Sequence, residues 1–255
     1  MFDYITTSHY GRCVKQHDDW YVKSFAVNRL YYIHQGNLTV LLDNIPYSLI
    51  PGRIYLIPQN LKFELVLRDD TRVDHTFFDF LTMPAIKMDR YIEIAPEQHP
   101  LIDSAAQILF DLAEKFPTYG YDRNEYSDVT ESYLANILFL IHKVSPINTI
   151  NDARINHILE YIHKNYDQEI TLEKLTEITN LEKNYLIRLF KQYMNVTPYQ
   201  YIKKYRFNVA LTLIKRKQSL TNVALRVGYG DISSFSHAFK QIYGIYPSEI
   251  SRNSS

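Results

Sequence analysis

The sequence predicts a multidomain fold: an all-β N-terminal domain over residues 1–95, a helical segment over 96–147, and an all-α domain over 152–255 with two helix-turn-helix motifs. Three observations predict it. Short β-type runs broken by turn residues extend from about residue 20 to 81, the apolar period becomes helical after Pro96, and the last part of the chain contains an internal repeat.

The β runs are clearest at Leu38-Thr39-Val40-Leu41-Leu42, Ile54-Tyr55-Leu56-Ile57 and Phe63-Glu64-Leu65-Val66-Leu67, with turns at Asp43-Asn44 and Pro51-Gly52 and a stop at Pro58. Many short strands with frequent turn signals fit an antiparallel barrel or sandwich. The stretch Asp74 to Phe80 alternates, with His75, Phe77 and Asp79 on one face and Thr76, Phe78 and Phe80 on the other.

Beyond Pro96, Ile102, Ala105, Ala106, Leu109, Leu112 and Ala113 recur at spacings of three and four, as do Val129, Tyr133, Leu134, Ile137, Leu138 and Ile141. These are two amphipathic helices, separated by a loop at Phe116-Pro117-Thr118-Tyr119-Gly120. They either cap the β domain or form a subunit interface. Ser145-Pro146-Ile147-Asn148 ends the second helix and reads as a linker.

A formal charge of zero hides an asymmetry. Residues 1–151 hold 13 Lys/Arg against 19 Asp/Glu, a net of −6, and residues 152–255 hold 15 against 9, a net of +6. A basic domain appended to an acidic one points to a polyanionic partner. The single cysteine, Cys13, excludes an intramolecular disulfide and a cysteine zinc cluster. No run approaches the roughly 18 apolar residues of a membrane span, and no signal-like stretch opens the chain. The expectation is a cytoplasmic protein with no membrane partner.

The repeat is the most specific feature. With an offset of 49, Leu186 to Gln192 lies over Phe235 to Gln241 and Pro198 over Pro247; with an offset of 48, Leu175-Thr176 lies over Val223-Ala224 and Asn180-Leu181 over Gly228-Tyr229. Each copy reads as a short helix carrying a small residue, a turn, and a second helix. The small residue (Thr176, Ala224) permits a close helix crossing, and the turn residue (Asn180, Gly228) tolerates positive φ. Pro198 to Ile214 reads as one long helix between the copies, with proline at its first turn.

In the second helix of each copy, Leu186, Leu189, Phe190 and Tyr193, and then Phe235, Ala238, Phe239 and Ile242, define the buried side. This leaves Lys183, Asn184, Ile187, Arg188 and Lys191 outward in the first copy, and Ile232, Ser233, Ser236, His237 and Lys240 in the second. Their chemistry suits a DNA groove. Arg188 can bond a guanine edge bidentately and Asn184 an adenine; Ser233, Ser236 and His237 can hydrogen-bond; Ile187 and Ile232 can touch a thymine methyl. Lys183, Lys191 and Lys240 suit phosphates. The bland alternative, a solvated helix face, accounts poorly for exposed isoleucines on two matched helices.

From Ile155 to Pro247 the chain resembles the AraC/XylS family of transcription regulators. The resemblance is carried by Tyr161-Ile162, Asn165-Tyr166, Ile170-Thr171-Leu172, Tyr185-Leu186, Arg188-Leu189-Phe190-Lys191, Thr197-Pro198, Arg206, Ala210, Gly228-Tyr229, Asp231, Ser233, Phe235-Ser236, Phe239-Lys240, Gly244 and Pro247. Four positions depart from the pattern: Asn180 replaces the usual glycine, Thr176 an alanine, Glu182 a serine-like cap, and His237 a frequent arginine. Glu182 is expected to weaken the cap while suiting the helix dipole.

The resemblance implies double-stranded promoter DNA and RNA polymerase as partners, an activator acting as a homodimer, and Asn184, Ile187, Arg188, Ile232, Ser233, Ser236 and His237 as base-facing residues. It also implies a cupin-like N-terminal barrel that senses a small-molecule effector, followed by dimerisation helices. That part rests on Gly36, Pro51-Gly52 and Ile57-Pro58. Gln35, His75 and Phe77 lie where a sugar-binding member of the family places its ligand contacts, so a sugar or related metabolite is the implied effector. Alternatively, Phe77 belongs to the core and His75 is a satisfied interior histidine. No His-x-His with a following Glu occurs in the barrel segment, so no metal, no cofactor and no enzymatic activity are expected. The competing readings are a metal-dependent cupin enzyme and a regulator whose barrel only dimerises.

Overall fold

A computed structural model of the chain describes residues 1–15, 26–42, 44–61, 63–66, 72–119 and 124–253. Residues 20–25 of the expected β region, Asp43 of the expected turn, Leu67 of the expected strand and Gly120 of the expected loop lie outside the described residues. The chain divides into two compact units, Met1–Thr149 and Ile150–Ser255.

The first unit holds strands β1 (Tyr4–Lys15), β2 (Asn28–Gln35), β3 (Leu38–Leu42), β4 (Ile45–Leu49), β5 (Ile54–Ile57), β6 (Phe63–Val66), β7 (Val73–Met83), β8 (Ile92–Ile94) and β9 (Thr118–Tyr119). They form a six-stranded sheet, order β8-β5-β2-β7-β1-β9, and a three-stranded sheet, order β4-β3-β6. All the pairings are antiparallel. Among the described residues no ladder joins the two sheets, so the expected barrel is not closed.

The alternation along β7 divides two environments. His75, Phe77 and Asp79 pair directly with Ile33, Tyr31 and Arg29 on β2. This face meets the smaller sheet, where Tyr31 stacks on Phe63 with ring centroids 6.5 Å apart. On the opposite face, Leu30, Phe78, Phe80 and Tyr10 enter an apolar cluster with helices α1 (Pro100–Lys115) and α2 (Ser127–Val144). The helices contribute Ile102, Ala106, Leu109, Phe110 and Ala113, and Leu134, Ile137, Leu138 and Ile141. α1 and α2, for which the sequence left capping of the β domain and a subunit interface both open, are thus docked on the large sheet as part of the first unit, because their apolar stripes match that face. Polar ties fix it further: Arg12 bonds Asp74 on β7 at 2.9 Å and Glu114 on α1 at 2.8 Å, and the Thr7 amide donates to Glu131 on α2 at 2.8 Å. The expected linker is also docked, with Ile147 buried and the Lys87 amide donating to the Asn148 carbonyl at 3.0 Å.

Three strands, β1, β8 and β9, lie outside the β runs expected at about 20 to 81. In β1 the register with β7 shifts between Thr7 and His9, so both Thr7 and Ser8 are buried and the two-residue alternation breaks. β9 replaces part of the expected loop at 116–120, pairing Thr118 and Tyr119 with Tyr10 and His9, and is too short to show a period.

The second unit is helical: α3 (Ala153–Asn165), α4 (Leu172–Thr179), α5 (Lys183–Met194), α6 (Pro198–Lys215), α7 (Leu220–Arg226), α8 (Ile232–Tyr243) and α9 (Pro247–Asn253). Each start has a side-chain cap where the sequence supplies one. Asp152, Thr171, Thr197, Ser219 and Asp231 accept backbone amides, and Thr197 with Gln200 completes a capping box. Such caps contribute about 1 kcal/mol each. Among the described residues no helix is long and apolar enough to cross a membrane.

α6 is the spine of this unit. Its Phe207 sits among Tyr229, Phe235, Phe239 and Tyr243 at centroid distances of 5.5 to 6.3 Å, while Tyr201 meets Phe190 of α5 at 5.6 Å. One long helix thereby carries both repeats, as the proline-led run of the sequence predicts.

Candidate nucleic-acid interface

α4 and α5, and α7 and α8, form the two helix-turn-helix motifs. At the first turn Asn180 has φ 53°, and at the second Gly228 has φ 77°, so the matched positions meet the same left-handed requirement. The Leu181 amide donates to the Thr176 carbonyl and the Tyr229 amide to the Ala224 carbonyl, closing the turns alike. The second helices also end alike, at Asn195 with φ 58° and Gly244 with φ 79°.

Both second helices begin on a carboxylate. Asp231 accepts the Ser234 amide at 2.8 Å. Glu182, expected to be a weak cap, accepts the amides of Asn184 at 2.9 Å and Tyr185 at 3.0 Å. It thus reaches amides two and three residues on, and these hold its carboxyl below the usual range. The Ser234 amide does the same for Asp231. The amides of Asn184, Tyr185 and Ser234 are therefore committed to the chain's own carboxylates rather than to a phosphate.

The core side is set by Leu186, Leu189, Phe190 and Met194 in α5 and by Phe235, Phe239 and Tyr243 in α8. Met194 and Tyr243 replace the expected Tyr193 and Ile242, which are half-buried together with Ala238. The contact stripe drifts by one residue over two turns, as a period of 3.6 requires.

Of the sequence-derived positions on α5, Lys183, Asn184, Arg188 and Lys191 are exposed and Ile187 is half-buried. On α8, Ile232, Ser233, His237 and Lys240 are exposed and Ser236 is half-buried. Ile232 leaves 41% of its surface to solvent at the first position of its helix. The structure adds aromatic supports that spacing did not reveal. The Arg188 guanidinium lies over the Tyr185 ring, 5.3 Å from its centroid, and Arg154 approaches the same ring at 5.9 Å. The Lys240 ammonium lies 4.0 Å from the centroid of Tyr246. Lys183 is tied to Glu173 of α4 at 3.2 Å. Tyr185 could have been flagged from its place three residues before Arg188, one helical turn.

In the first unit, His75 and Phe77 share the face that meets the smaller sheet, with ring centroids 5.8 Å apart and both largely buried. Tyr31 contacts His75 at 5.5 Å and His9 meets Phe77 edge-on at 4.6 Å. Gln35 is not brought to them. A register shift after Ile33 places it opposite Asp74, at the exposed end of β2. A feature missed in the sequence occupies the same inner face: Arg29 and Asp79 form a buried ion pair, and Arg29 donates to the Tyr31 hydroxyl at 2.9 Å. Burial works against the Arg29 charge, but Asp79 and Tyr31 hold it. Burial pushes the Tyr31 phenol up to about 12.

Two helix-turn-helix motifs on one helical spine define a DNA-binding regulator. A helix-turn-helix domain model matches residues 175–253. The probable transcriptional regulator LumQ of Photobacterium leiognathi is 35% identical over 239 residues, covering 89% of this chain and 93% of that protein. The transcriptional activator RhaS of Klebsiella pneumoniae (strain 342) is 32% identical over 123 residues, 47% of this chain and 44% of that protein. ToxT of Vibrio cholerae has the same fold, with a TM-score of 0.69 at 13% identity over 98% of both chains. A ToxT structure with bound unsaturated fatty acid gives 0.66 at 14% identity, over 98% of this chain and 95% of that one. The chain belongs to the AraC/XylS family of transcription regulators.

Proposed function

We propose that this regulator is a cytoplasmic activator that binds promoter DNA through α5 and α8 and responds to a small-molecule effector held by its first unit. The observation that carries the DNA reading is the pair of matched outward faces, each stabilised by its own caps and core. Asn184, Ile187 and Arg188 read one major-groove segment, and Ile232, Ser233, Ser236 and His237 the next. Lys183, Lys191 and Lys240 hold phosphates. Successive grooves on one face of the duplex put the readers about 34 Å apart. Activation implies contact with RNA polymerase. A homodimer is supported by the outer faces of α1 and α2, which expose Leu101, Ile108, Val129 and Phe139.

The effector chamber is the inner face around His75 and Phe77, a cupin-like interior in which an aromatic ring and a hydrogen-bonding imidazole suit a sugar or related metabolite. Gln35 belongs at most to its rim. A second reading is favoured by Arg29. A buried guanidinium beside Tyr31 and Phe63 suits a carboxylate with an apolar tail that exchanges with Asp79, the chemistry of the fatty acid in the ToxT structure. The test has two stages. Selection of bound duplexes from a random DNA pool yields the preferred site, and that site is then titrated with protein in the presence of sugars or of fatty acids. A shift in affinity with one class identifies the chemistry. A pool that remains random overturns the DNA reading, and indifference to both classes removes the effector.

A further inference from the structure

Arg206, in the middle of α6, makes contacts that neither helix-turn-helix motif needs for itself. Its Nε donates to the Tyr166 carbonyl at 2.6 Å and its Nη2 to the Gln168 carbonyl at 2.6 Å. Its Nη1 donates to the Gly228 carbonyl at 3.4 Å. Tyr166 and Gln168 belong to the bend between α3 and α4, which leads into the first helix-turn-helix motif, whereas Gly228 is the turn of the second. The two backbones approach closely there. A Cβ on Gly228 would lie 2.8 Å from the Asp167 carbonyl oxygen and 2.9 Å from Arg206 Nη2.

The chemistry is that of a clamp. A carbonyl is fixed to its backbone, so a bond to it positions the chain itself, and a guanidinium presents planar, rigidly spaced donors that an ammonium cannot reproduce. The guanidinium also lies 5.9 Å from the Tyr229 centroid. Burial lowers the Arg206 pKa from its usual value, the opposite of what surface ion pairs do elsewhere in the chain. The side chain is held where a solvated arginine would be more comfortable, and the three carbonyls offset that cost.

We infer that Arg206 is a positioning residue for two-site DNA reading: it locks the entry to the first helix-turn-helix motif onto the turn of the second, fixing the phase of α8 relative to α5. The inference rests on the DNA reading proposed above. α6 sets how far apart the readers stand, and Arg206 sets how freely one rotates against the other. A locked pair engages both grooves as one body, and the gain of two linked sites over one reaches about 10²–10⁴-fold when the geometry matches and vanishes when it does not.

The experiment uses the full chain and three duplexes: the site recovered by selection, the same site with five base pairs inserted between its halves, and the half read by α5 alone. Wild type is expected to bind the intact site at least about tenfold more tightly than the inserted one, a conservative fraction of that linkage gain. Arg206→Lys and Arg206→Ala should shrink this ratio while binding the single half as wild type does. A ratio unchanged in both variants overturns the clamp and leaves DNA reading intact. Loss of binding to the single half by Arg206→Lys, with helical content retained by circular dichroism, also overturns it, because Arg206 would then serve the first reader directly. Wild type that does not distinguish the selected site from random DNA refutes the underlying reading instead.

Discussion

The Arg188 guanidinium rests on the Tyr185 ring one helical turn earlier on α5, 5.3 Å from the centroid. A flexible side chain that must meet a base edge in one orientation is thereby partly ordered before DNA arrives, which reduces what binding must immobilise. Tyr185→Ala should weaken binding to the selected site by about 0.5–1 kcal/mol, the scale of an exposed cation–π contact, and Tyr185→Phe should leave it near wild type. Fluorescence anisotropy on the selected duplex checks both. A phenylalanine variant as weak as alanine would assign the effect to the hydroxyl.

Gly228 and Asn180 occupy equivalent turns with different tolerances. Gly228→Ala meets both a φ of 77° and the Asp167 carbonyl, so it should destabilise the second unit by roughly 1–3 kcal/mol. Asn180→Gly asks for no new space at φ 53° and should change the denaturation midpoint little. Urea melts of the two variants provide the comparison.

The Arg29–Asp79 pair is enclosed on the inner face of the large sheet. Asp79→Asn leaves a buried guanidinium without its counter-charge and should cost about 3–5 kcal/mol, measured by chemical denaturation. Replacing both residues with apolar ones of similar volume should recover most of that loss. Recovery failing in the double variant would mean that the pair has a role other than charge balance.

His163 is half-buried between α3 and α6, its Nε2 2.8 Å from the Tyr201 hydroxyl and its ring stacked on Tyr205 at 4.7 Å. Burial drives its pKa from 6.5 down to about 3. Between those values the unfolded chain takes up a proton that the folded unit refuses, so this contribution to stability is complete above about pH 6.5 and is lost as pH falls toward 3. His163→Gln should flatten the dependence of the melting temperature on pH across that window.

The repeat made the second unit legible almost residue by residue, because helix period, turn conformation and caps all act within a few positions of one another. Asn180, Gly228, Pro198 and the outward Arg188 are all readable from that local grammar. The features that escaped depend on distant partners. Arg206 finds its acceptors at Tyr166 and Gln168, 40 and 38 positions away, and Asp79 lies 50 positions from Arg29. In the first unit, the alternation of β7 was readable because strand pairing there is regular. The register shifts after Thr7 and after Ile33 displace the residues beyond them by one position, which hid β1 and separated Gln35 from His75 and Phe77.

Competition binding by Arg188→Ala and Lys240→Ala on the selected site and on random DNA separates base reading by α5 from phosphate contact by α8. Arg188→Ala should lose roughly 1–3 kcal/mol on the selected site and relax preference at one base pair, with little change on random DNA, whereas Lys240→Ala should weaken both alike. An equal loss on selected and random DNA from Arg188→Ala would contradict its assignment as a reader of bases.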